Sequence, residues 1–203
     1  MNVGAVIIAA GMSSRMKAFK PLLSIGEKSM VSHVIETFKE AGITTIVVVT
    51  GNHSEELNKE LERHHVISLY NEKYENGEMF DSAKVGLEYL AHTCERILFT
   101  PVDVPLFLPS TVKTLLKIKA EVTKPVYHGR GGHPLMLSKN VANKMLLYNG
   151  DGGMKGALAS IGAVIRRVEV EDEAILMDTD TKEEFEKMLI YYKNRNDHFG
   201  GVQ

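Results

Sequence analysis

A short apolar run near the start of the chain limits the fold more than any other feature. Residues 3–10 are almost continuously apolar, and the run ends at Gly11. A strand of this length without alternating polar residues is typical of a parallel sheet, because helices cover both of its faces. The run therefore predicts a buried first strand of an α/β domain, followed by a loop that begins at Gly11.

The remainder of the chain alternates between strand and helix patterns. Strands are predicted at residues 45–50, 66–69, 96–100, 125–127, 135–137 and 164–170, and helices at 30–42, 52–63, 79–91, 109–119 and 181–193. Such alternation is typical of a sheet with helices on both faces. We expect one α/β domain over residues 1–195, divided into two functional halves near residue 108, and a flexible tail over residues 196–203.

Length and charge exclude several classes of function. A chain of 203 residues, 44% of them hydrophobic, can bury a core without a disulfide or metal staple. The formal charge of -2 provides no long-range field that would gather nucleic acid or an anionic membrane. Cys94 is the only cysteine, and the chain has no basic leader and no apolar span of transmembrane length. We expect a soluble, cytoplasmic protein without nucleic-acid or membrane partners.

The loop after the first strand is rich in groups that bind phosphate. Backbone amides at the carboxyl end of a parallel strand face the crevice where ligands bind. Arg15 and Lys20 add positive charge for a polyphosphate, although the spacing matches neither the Walker loop nor the dinucleotide fingerprint. The alternative is a basic surface turn whose cations form surface ion pairs. The loop residues are Ala9, Ala10, Gly11, Met12, Ser13, Ser14, Arg15, Met16, Lys17, Ala18, Phe19 and Lys20.

Three aspartates are candidates for the metal and acceptor chemistry. Asp103 follows the strand predicted at 96–100. Enzymes that act on nucleotide phosphates hold Mg²⁺ through one or two carboxylates, so Asp103 is the candidate metal ligand. The alternative for Asp103 is a turn or helix-cap residue. Asp178 and Asp180 lie on one side of the chain if their segment is extended, and Thr181 is expected to cap the last helix. For each of these two aspartates there are two alternatives: it binds the metal or the acceptor directly, or it only stabilises the fold.

A glycine-rich run in the second half of the chain is the candidate acceptor site. Residues 127–134 combine Arg130, His128 and His133 with backbone amides that we expect to be exposed, a suitable receiver for a phosphate-bearing heterocycle. The alternative is that His133 is a packed or surface histidine. Cysteine and histidine spacing gives no reason to expect a zinc site.

Several of these segments resemble one family in order along the chain. Residues 8–16, IAAGMSSRM, and 20–23, KPLL, closely resemble the signature of the MobA-like nucleotidyltransferases, in particular the molybdenum cofactor cytidylyltransferases. The resemblance covers roughly residues 3–190. It implies a Rossmann-like mixed sheet of the nucleotide-diphospho-sugar transferase type and Mg²⁺-dependent transfer of CMP from CTP to molybdopterin, with release of pyrophosphate. The further matching segments are 41–42, 76–82, 103–105, 132–134, 150–155 and 178–181.

The resemblance also implies roles for individual residues. The implied catalytic residues are Arg15, Lys20 and Asp103, with Asp103 as the metal ligand. The implied nucleotide-binding residues are Ala9, Ala10, Gly11, Met12, Ser13, Ser14, Arg15, Lys20, Gly77, Ser82 and Asp103. The implied acceptor-binding residues are Gly132, His133, Lys155, Asp178 and Asp180. A molybdoenzyme or its maturation factor is the implied macromolecular partner.

The sequence departs from the family pattern at three positions and leaves alternatives open. Lys17, Val104 and Lys155 stand where the family usually has Gly, Gln and Arg. Ala10 stands where guanylyl-transferring relatives usually have a second glycine, which favours CTP over GTP. The alternatives are a GTP-dependent molybdopterin guanylyltransferase, an enzyme for a sugar or polyol phosphate, and an idle nucleotide- or cofactor-binding chaperone module.

Overall fold

One mixed sheet forms the centre of the molecule. The computed structural model describes residues 2–11, 18–75 and 77–199. The strands are β1 (Val3–Ile8), β2 (Ser24–Ile25), β3 (Lys28–Ser29), β4 (Thr45–Thr50), β5 (Ile67–Tyr70), β6 (Arg96–Pro101), β7 (Val122–Tyr127), β8 (Arg130–Gly131), β9 (Leu135–Ser138) and β10 (Ile165–Glu169). The α-helices are α1 (Met30–Glu40), α2 (Ser54–Glu62), α3 (Met79–Ala91), α4 (Pro109–Lys117), α5 (Lys139–Leu146), α6 (Gly153–Ser160) and α7 (Lys182–Phe199).

The order of the strands is β10-β7-β9-β6-β1-β4-β5, with β8 paired to β7 and a separate hairpin of β2 and β3. Strands β6, β1, β4 and β5 are parallel to one another, as are β7 and β10. Only β9, which is antiparallel to β6 and β7, and β8 reverse direction within this sheet. The expected mixed sheet of an α/β domain is confirmed.

Strand β1 shows why both faces of the sheet are covered. Alternate residues point to opposite faces of a strand, so an apolar residue at every position needs a core on each side. Ala5 and Ile7 belong to the core beneath α1, α2, α4 and α7, whereas Val6 and Ile8 belong to the core beneath α3, α5 and α6. Gly86 lets α3 approach β1 closely, since a Cβ there would lie 2.5 Å from Val6 Cγ1.

The ends of the predicted helices follow local capping chemistry. Gly42, with φ of 92°, follows α1. At the start of α7, Thr181 N–H donates to Glu184 Oε2 (2.8 Å) and Glu184 N–H donates to Thr181 Oγ1 (3.2 Å), which is the reciprocal capping expected there.

Two features of the helices differ from the sequence predictions. Helix α7 continues past the predicted end at residue 193, and residues 196–199 of the predicted flexible tail are helical. The helices α5 and α6 were not predicted. Helix α6 contains two glycines, Gly153 and Gly156, which weaken its helical pattern.

Candidate nucleotide and acceptor site

The carboxyl ends of β1 and β6 open onto a cavity of about 310 Å³. Ligands of open α/β folds bind at this edge of the sheet, because backbone amides and loop side chains converge there. The cavity is bounded by the end of β1, by the 3₁₀ turn at Lys20, by the start of α3 and by the turn after β6. Its lining residues are Ile8, Ala9, Ala10, Gly11, Lys20, Pro21, Tyr74, Glu75, Gly77, Glu78, Met79, Ser82, Pro101, Val102 and Asp103.

Lys20 is held between two carboxylates beside this cavity. Its Nζ donates to Asp180 Oδ1 at 2.7 Å and lies 3.7 Å from Asp103 Oδ2. Lys20 is only 9% exposed, so it is not the surface ion pair that a basic surface turn would contain. Asp103 lies in the turn after β6, five residues before Leu108 caps α4, and is therefore not the cap of that helix.

Several charged groups act on the carboxyl of Asp103. Burial raises the pKa of the Asp103 carboxyl above its usual value, and Lys20 acts in the opposite direction. The carboxylates of Asp180 and Asp178 also raise this pKa. Among the described residues, Lys20 and these two carboxylates therefore act on the Asp103 carboxyl in opposite directions.

The donor set fits a divalent metal that arrives with a nucleotide. Carboxylate oxygens are the ligands that Mg²⁺ and Mn²⁺ prefer, and Mg²⁺ in nucleotide sites takes one or two of them together with phosphates and water. Among the described residues, no three His, Cys, Asp or Glu side chains converge closely enough to hold a metal ion by themselves. Asp103 and Asp180 would therefore supply part of the coordination shell, and the nucleotide phosphates would supply the rest.

The structure brings together the described members of the predicted nucleotide set. Ala9, Ala10, Gly11, Lys20, Gly77, Ser82 and Asp103 all line the cavity of about 310 Å³. Met12, Ser13, Ser14 and Arg15, together with Lys17, lie outside the described residues.

Ser82 is held in place by a residue that the sequence reasoning missed. Asn71 follows β5 and is 4% exposed, and its Nδ2 donates to Ser82 Oγ at 2.8 Å. This bond uses a lone pair of the hydroxyl and leaves its O–H available as a donor. A polar residue at the end of a predicted strand was the available signal for Asn71.

Gly77 shapes the turn before α3. Its N–H donates to Lys73 O at 2.8 Å, and a Cβ at this position would lie 2.7 Å from the same carbonyl. The turn therefore requires a glycine. Its amide is already bonded within the protein, so Gly77 contributes backbone shape to the cavity wall.

A second, largely apolar cavity of about 460 Å³ lies between the sheet and α6. Among the described residues, its polar lining consists of three nitrogen-bearing side chains, Lys124, His133 and Lys155, and none of the lining residues is acidic. Lys124 is the member that the sequence reasoning missed. The remaining lining residues are apolar: Met79, Phe99, Leu135, Met154, Leu158, Ala159, Ala163 and Ile165.

The two cavities lie next to each other and have Met79 in common. A cavity of about 350 Å³ shares Glu78 and Met79 with the nucleotide side, and it shares Met79, Phe99 and Lys155 with the apolar cavity. Met79 lines all three cavities and is 56% exposed. Met79 therefore lies between the nucleotide side and the apolar cavity.

His133 stands in the wall of the apolar cavity as a neutral imidazole. Its Nδ1 is buried without a hydrogen-bond partner among the described residues. Burial lowers the pKa of His133 to about 4, and the nearby Lys124 ammonium acts in the same direction. A backbone hydrogen bond with Phe99 opposes them. At neutral pH this side chain offers a lone pair and an aromatic face, and carries no charge.

This burial predicts a dependence of stability on acid. Because the folded pKa of about 4 lies below the ordinary 6.5, the unfolded chain takes up this proton first as the pH falls. Above pH 6.5 this group does not lower the free energy of unfolding. The free energy of unfolding falls as the pH is lowered towards 4, and the loss is about 2–3 kcal/mol at pH 4.5. Between pH 7 and pH 4.5 the His133→Gln variant should lose correspondingly less of its free energy of unfolding than the wild type, as measured by urea unfolding. The control is His92→Gln, at an exposed position, which should lose as much as the wild type.

The backbone around His133 corrects one sequence expectation. The amides of residues 127–134 were expected to be exposed for phosphate binding. Three of them are bonded within the protein: His128 N–H to Glu169 Oε1 (2.6 Å), Gly132 N–H to Pro125 O (2.9 Å) and His133 N–H to Ile175 O (3.0 Å). These three donors are therefore not available to a ligand.

The five predicted acceptor residues are not all in one place. His133 and Lys155 line the apolar cavity, and Gly132 packs behind His133, where a Cβ would lie 2.2 Å from Ile175 O. Asp180 is instead bonded to Lys20, and Asp178 is close enough to act on the Asp103 carboxyl. The structure therefore places the two aspartates with the metal-binding candidates.

This chain is similar in sequence to a known family of proteins. The model of the MobA-like NTP transferase domain matches residues 5–172. The chain belongs to this family. No helix in the described part of this MobA-like domain combines the length and the hydropathy needed to cross a membrane.

Curated relatives match over part of the chain. The bifunctional protein GlmU of Staphylococcus haemolyticus is 33% identical over 119 residues, which are 58% of this chain and 26% of that protein. The GlmU protein of Clostridioides difficile is 28% identical over 148 residues, 71% of this chain and 31% of that protein. The MobA-like chain thus spans about a quarter to a third of the length of the curated relatives that it matches.

Solved structures share the fold over nearly the whole chain. A nucleotidyl transferase from Methanothermobacter thermautotroptrophicus has a TM-score of 0.84 and 20% identity, covering 96% of this chain and 99% of that one. A CMP:2-keto-3-deoxy-manno-octonic acid synthetase complexed with CTP has a TM-score of 0.76 and 17% identity, covering 96% and 100%. The MobA-like fold is therefore that of known nucleotidyltransferases.

Proposed function

We propose that this protein transfers CMP from CTP to a molybdopterin-type acceptor and releases pyrophosphate. The observation that carries the proposal is that two unlike cavities lie next to each other and both have Met79 in their lining. Lys20 and Asp103 line one cavity, and Asp180 is bonded to Lys20; this cluster suits a metal-bound triphosphate. The other is apolar with basic nitrogens, which suits a flat heterocycle bearing anionic groups.

The reaction is an in-line displacement at the α-phosphorus of the nucleotide. An oxygen of the acceptor phosphate forms the new bond to this phosphorus, and the bond to the bridging oxygen of the β-phosphate breaks, so that pyrophosphate leaves. An ionised phosphate needs no general base. Catalysis then consists of positioning and of stabilising the developing negative charge.

The side chains of the cluster divide this work. Lys20, which the carboxylates of Asp180 and Asp103 hold in place, presents an ammonium group to the β- and γ-phosphates. Arg15 is proposed to assist it from the neighbouring loop. Asp103 and Asp180 would hold Mg²⁺. Bound Mg²⁺ would supply neutralisation of charge on the reacting phosphates.

The preference for CTP rests on Ala10. This residue lines the nucleotide cavity and is only 3% exposed. Its methyl group stands where the guanylyl-transferring relatives usually have a glycine, and it leaves less room for the larger purine base. The alternative nucleotide is GTP, and the choice between the two is measured below.

The apolar lining supports a heterocycle over a neutral sugar. Sugar hydroxyls need hydrogen-bond partners when they are buried, and eight of the lining side chains of the acceptor cavity are apolar. A second candidate acceptor is an acidic sugar or a sugar phosphate. It is favoured by the basic side chains Lys124 and Lys155 and by the likeness to the CMP:2-keto-3-deoxy-manno-octonic acid synthetase.

The biological setting follows from the proposed reaction. A cytidylylated cofactor is handed on to a recipient, so the proposed partner is a molybdoenzyme or its maturation factor. The proposed location is the cytoplasm, where CTP is available.

Pyrophosphate release tests this proposal. CTP, GTP, ATP and UTP are each incubated with Mg²⁺ or EDTA, with molybdopterin, with acidic sugars and sugar phosphates, or without acceptor. We expect release only with CTP, Mg²⁺ and molybdopterin together. Release with GTP or with a sugar acceptor would reassign the substrate. Nucleotide binding without release from any mixture would contradict the proposal and favour an idle binding module.

A further inference from the structure

Lys124 is a half-buried cation that the mechanism above does not use. It lies on β7 and lines the apolar cavity together with His133 and Lys155. Within the described residues, no carboxylate forms a salt bridge with Lys124 and no acceptor receives a hydrogen bond from it. A lysine that faces a cavity loses part of its hydration, which is unfavourable for the charged group. No ion pair with the described residues compensates for this loss.

The backbone leaves room for this side chain. Gly131 on β8 pairs with Val126, two residues from Lys124 on the same face of the sheet. A Cβ at Gly131 would lie 2.5 Å from Lys124 Cε, so the lysine stem passes directly over this glycine. The side chain is thus laid along the hairpin towards the cavity.

The groups around Lys124 concentrate positive charge. Arg167 on β10 is in register with Lys124, and its guanidinium donates to Gly129 O. Burial lowers the pKa of Lys124, and the charges of Arg167 and Lys155 lower it further. Such crowding is unfavourable in the free protein, and an anion between these side chains would relieve it.

Lys124 is remote from the reacting phosphate. Thr123, its neighbour in sequence, is in register with Met136, and Met136 is in register with Leu98 on β6. Lys124 is therefore two strands away from β6 and close to the level of residue 99. With strands about 4.8 Å apart and a rise of about 3.3 Å per residue, its Cα is about 12 Å from that of Pro101 at the end of β6, and Asp103 lies in the turn beyond this end.

We propose that Lys124 binds a second anionic group of the acceptor, at the end of the molecule opposite the phosphate that attacks. This inference rests on the proposed function and narrows its substrate class. The acceptor has a flat ring system whose faces pack against the apolar lining, and it carries anionic groups near both ends. Lys155 and the neutral His133 complete the wall that faces the remote group.

A probe that needs no reaction tests this role. Naphthalenesulfonate joins an apolar ring system to one anion, and its binding is followed by fluorescence titration. Lys124→Met keeps the length of the side chain and removes the charge, so we expect about 10- to 100-fold weaker binding. Lys124→Arg should bind within about 3-fold of the wild type, because it restores a cation.

The control is Lys113→Met, an exposed lysine on α4, which covers the opposite face of the sheet. It should bind the probe as the wild type does, and all variants should bind Mg²⁺-CTP equally. No saturable binding of the probe by the wild type would overturn the proposal. So would unchanged binding by Lys124→Met, or an equal loss in Lys124→Met and Lys124→Arg.

Kinetics separate this inference from the proposed reaction. With an acceptor that the wild type converts, Lys124→Met should raise the KM for the acceptor by about 10- to 100-fold and leave kcat and the KM for CTP within about 2-fold. An unchanged acceptor KM would overturn the role of Lys124. If the wild type converts no acceptor, the proposed function fails. Weaker binding of the naphthalenesulfonate probe by Lys124→Met would still support an anion-binding site at Lys124.

Discussion

Replacing Asp103 with asparagine is expected to lower kcat for nucleotidyl transfer by about 10³-fold or more. The substitution keeps the size of the side chain and one oxygen but removes the negative charge that holds a divalent cation beside the α-phosphate. Folding should be unaffected, because burial already raises the pKa of this carboxyl and makes its charged form costly. Pyrophosphate release at saturating CTP and acceptor measures the rate, and thermal unfolding measures stability.

The matched control is Asp197→Asn, at an exposed position of α7. It removes the same charge far along the helix and should keep the full rate. Raising the Mg²⁺ concentration should recover part of the activity of Asp103→Asn, because a weakened site fills at higher metal concentration. A rate within about 10-fold of the wild type at ordinary Mg²⁺ would show that Asp103 is not the principal metal ligand.

The placement of Asp103 illustrates what the sequence can predict. A buried strand fixes where its carboxyl end lies, so the position of an aspartate just after residues 96–100 is determined by local pattern. The same holds for Ala9, Ala10 and Gly11 after β1. Their meeting at one edge follows from the parallel pairing of β1 with β6, which an α/β pattern predicts.

Contacts between distant parts of the chain are beyond such reasoning. Lys20 and Asp180 are 160 positions apart, and no spacing rule links them. Asp180 was therefore grouped with the acceptor residues, whereas the fold brings its carboxylate to Lys20. The amides near His133 were predicted to be exposed because glycine-rich segments are usually loops. Glu169 on β10, Pro125 on β7 and Ile175 in a 3₁₀ turn accept these hydrogen bonds instead.

Lys124 was missed for a related reason. In a strand, a lysine between apolar residues is normally assigned to the solvent side of an edge. Here β10 pairs with β7 on its outer side, so Lys124 lies inside the sheet and faces a cavity. The pairing of two strands that are 40 residues apart in sequence cannot be read from the pattern of either one.

Lys20→Met is expected to lower kcat/KM for CTP by about 10³-fold. The ammonium group is nearly buried and fixed by Asp180 at 2.7 Å, so it meets the phosphates without reorganisation. Methionine fills the same space and offers no donor. Calorimetric titration should show CTP binding about 10- to 100-fold more weakly, with CMP binding unchanged, because CMP lacks the β- and γ-phosphates that we propose Lys20 binds.

The comparison between CTP and CMP distinguishes a phosphate ligand from an internal ion pair. If Lys20 served only to neutralise Asp103 and Asp180, its loss would weaken folding and would affect both nucleotides alike. Lys187→Met, at an exposed position of α7, controls for removal of one positive charge and should bind both nucleotides normally. An equal loss of CTP and CMP binding, or none, would contradict the assigned role. Lys20 would then be a structural residue, and the charge on the triphosphate would have to be met by the loop that contains Arg15.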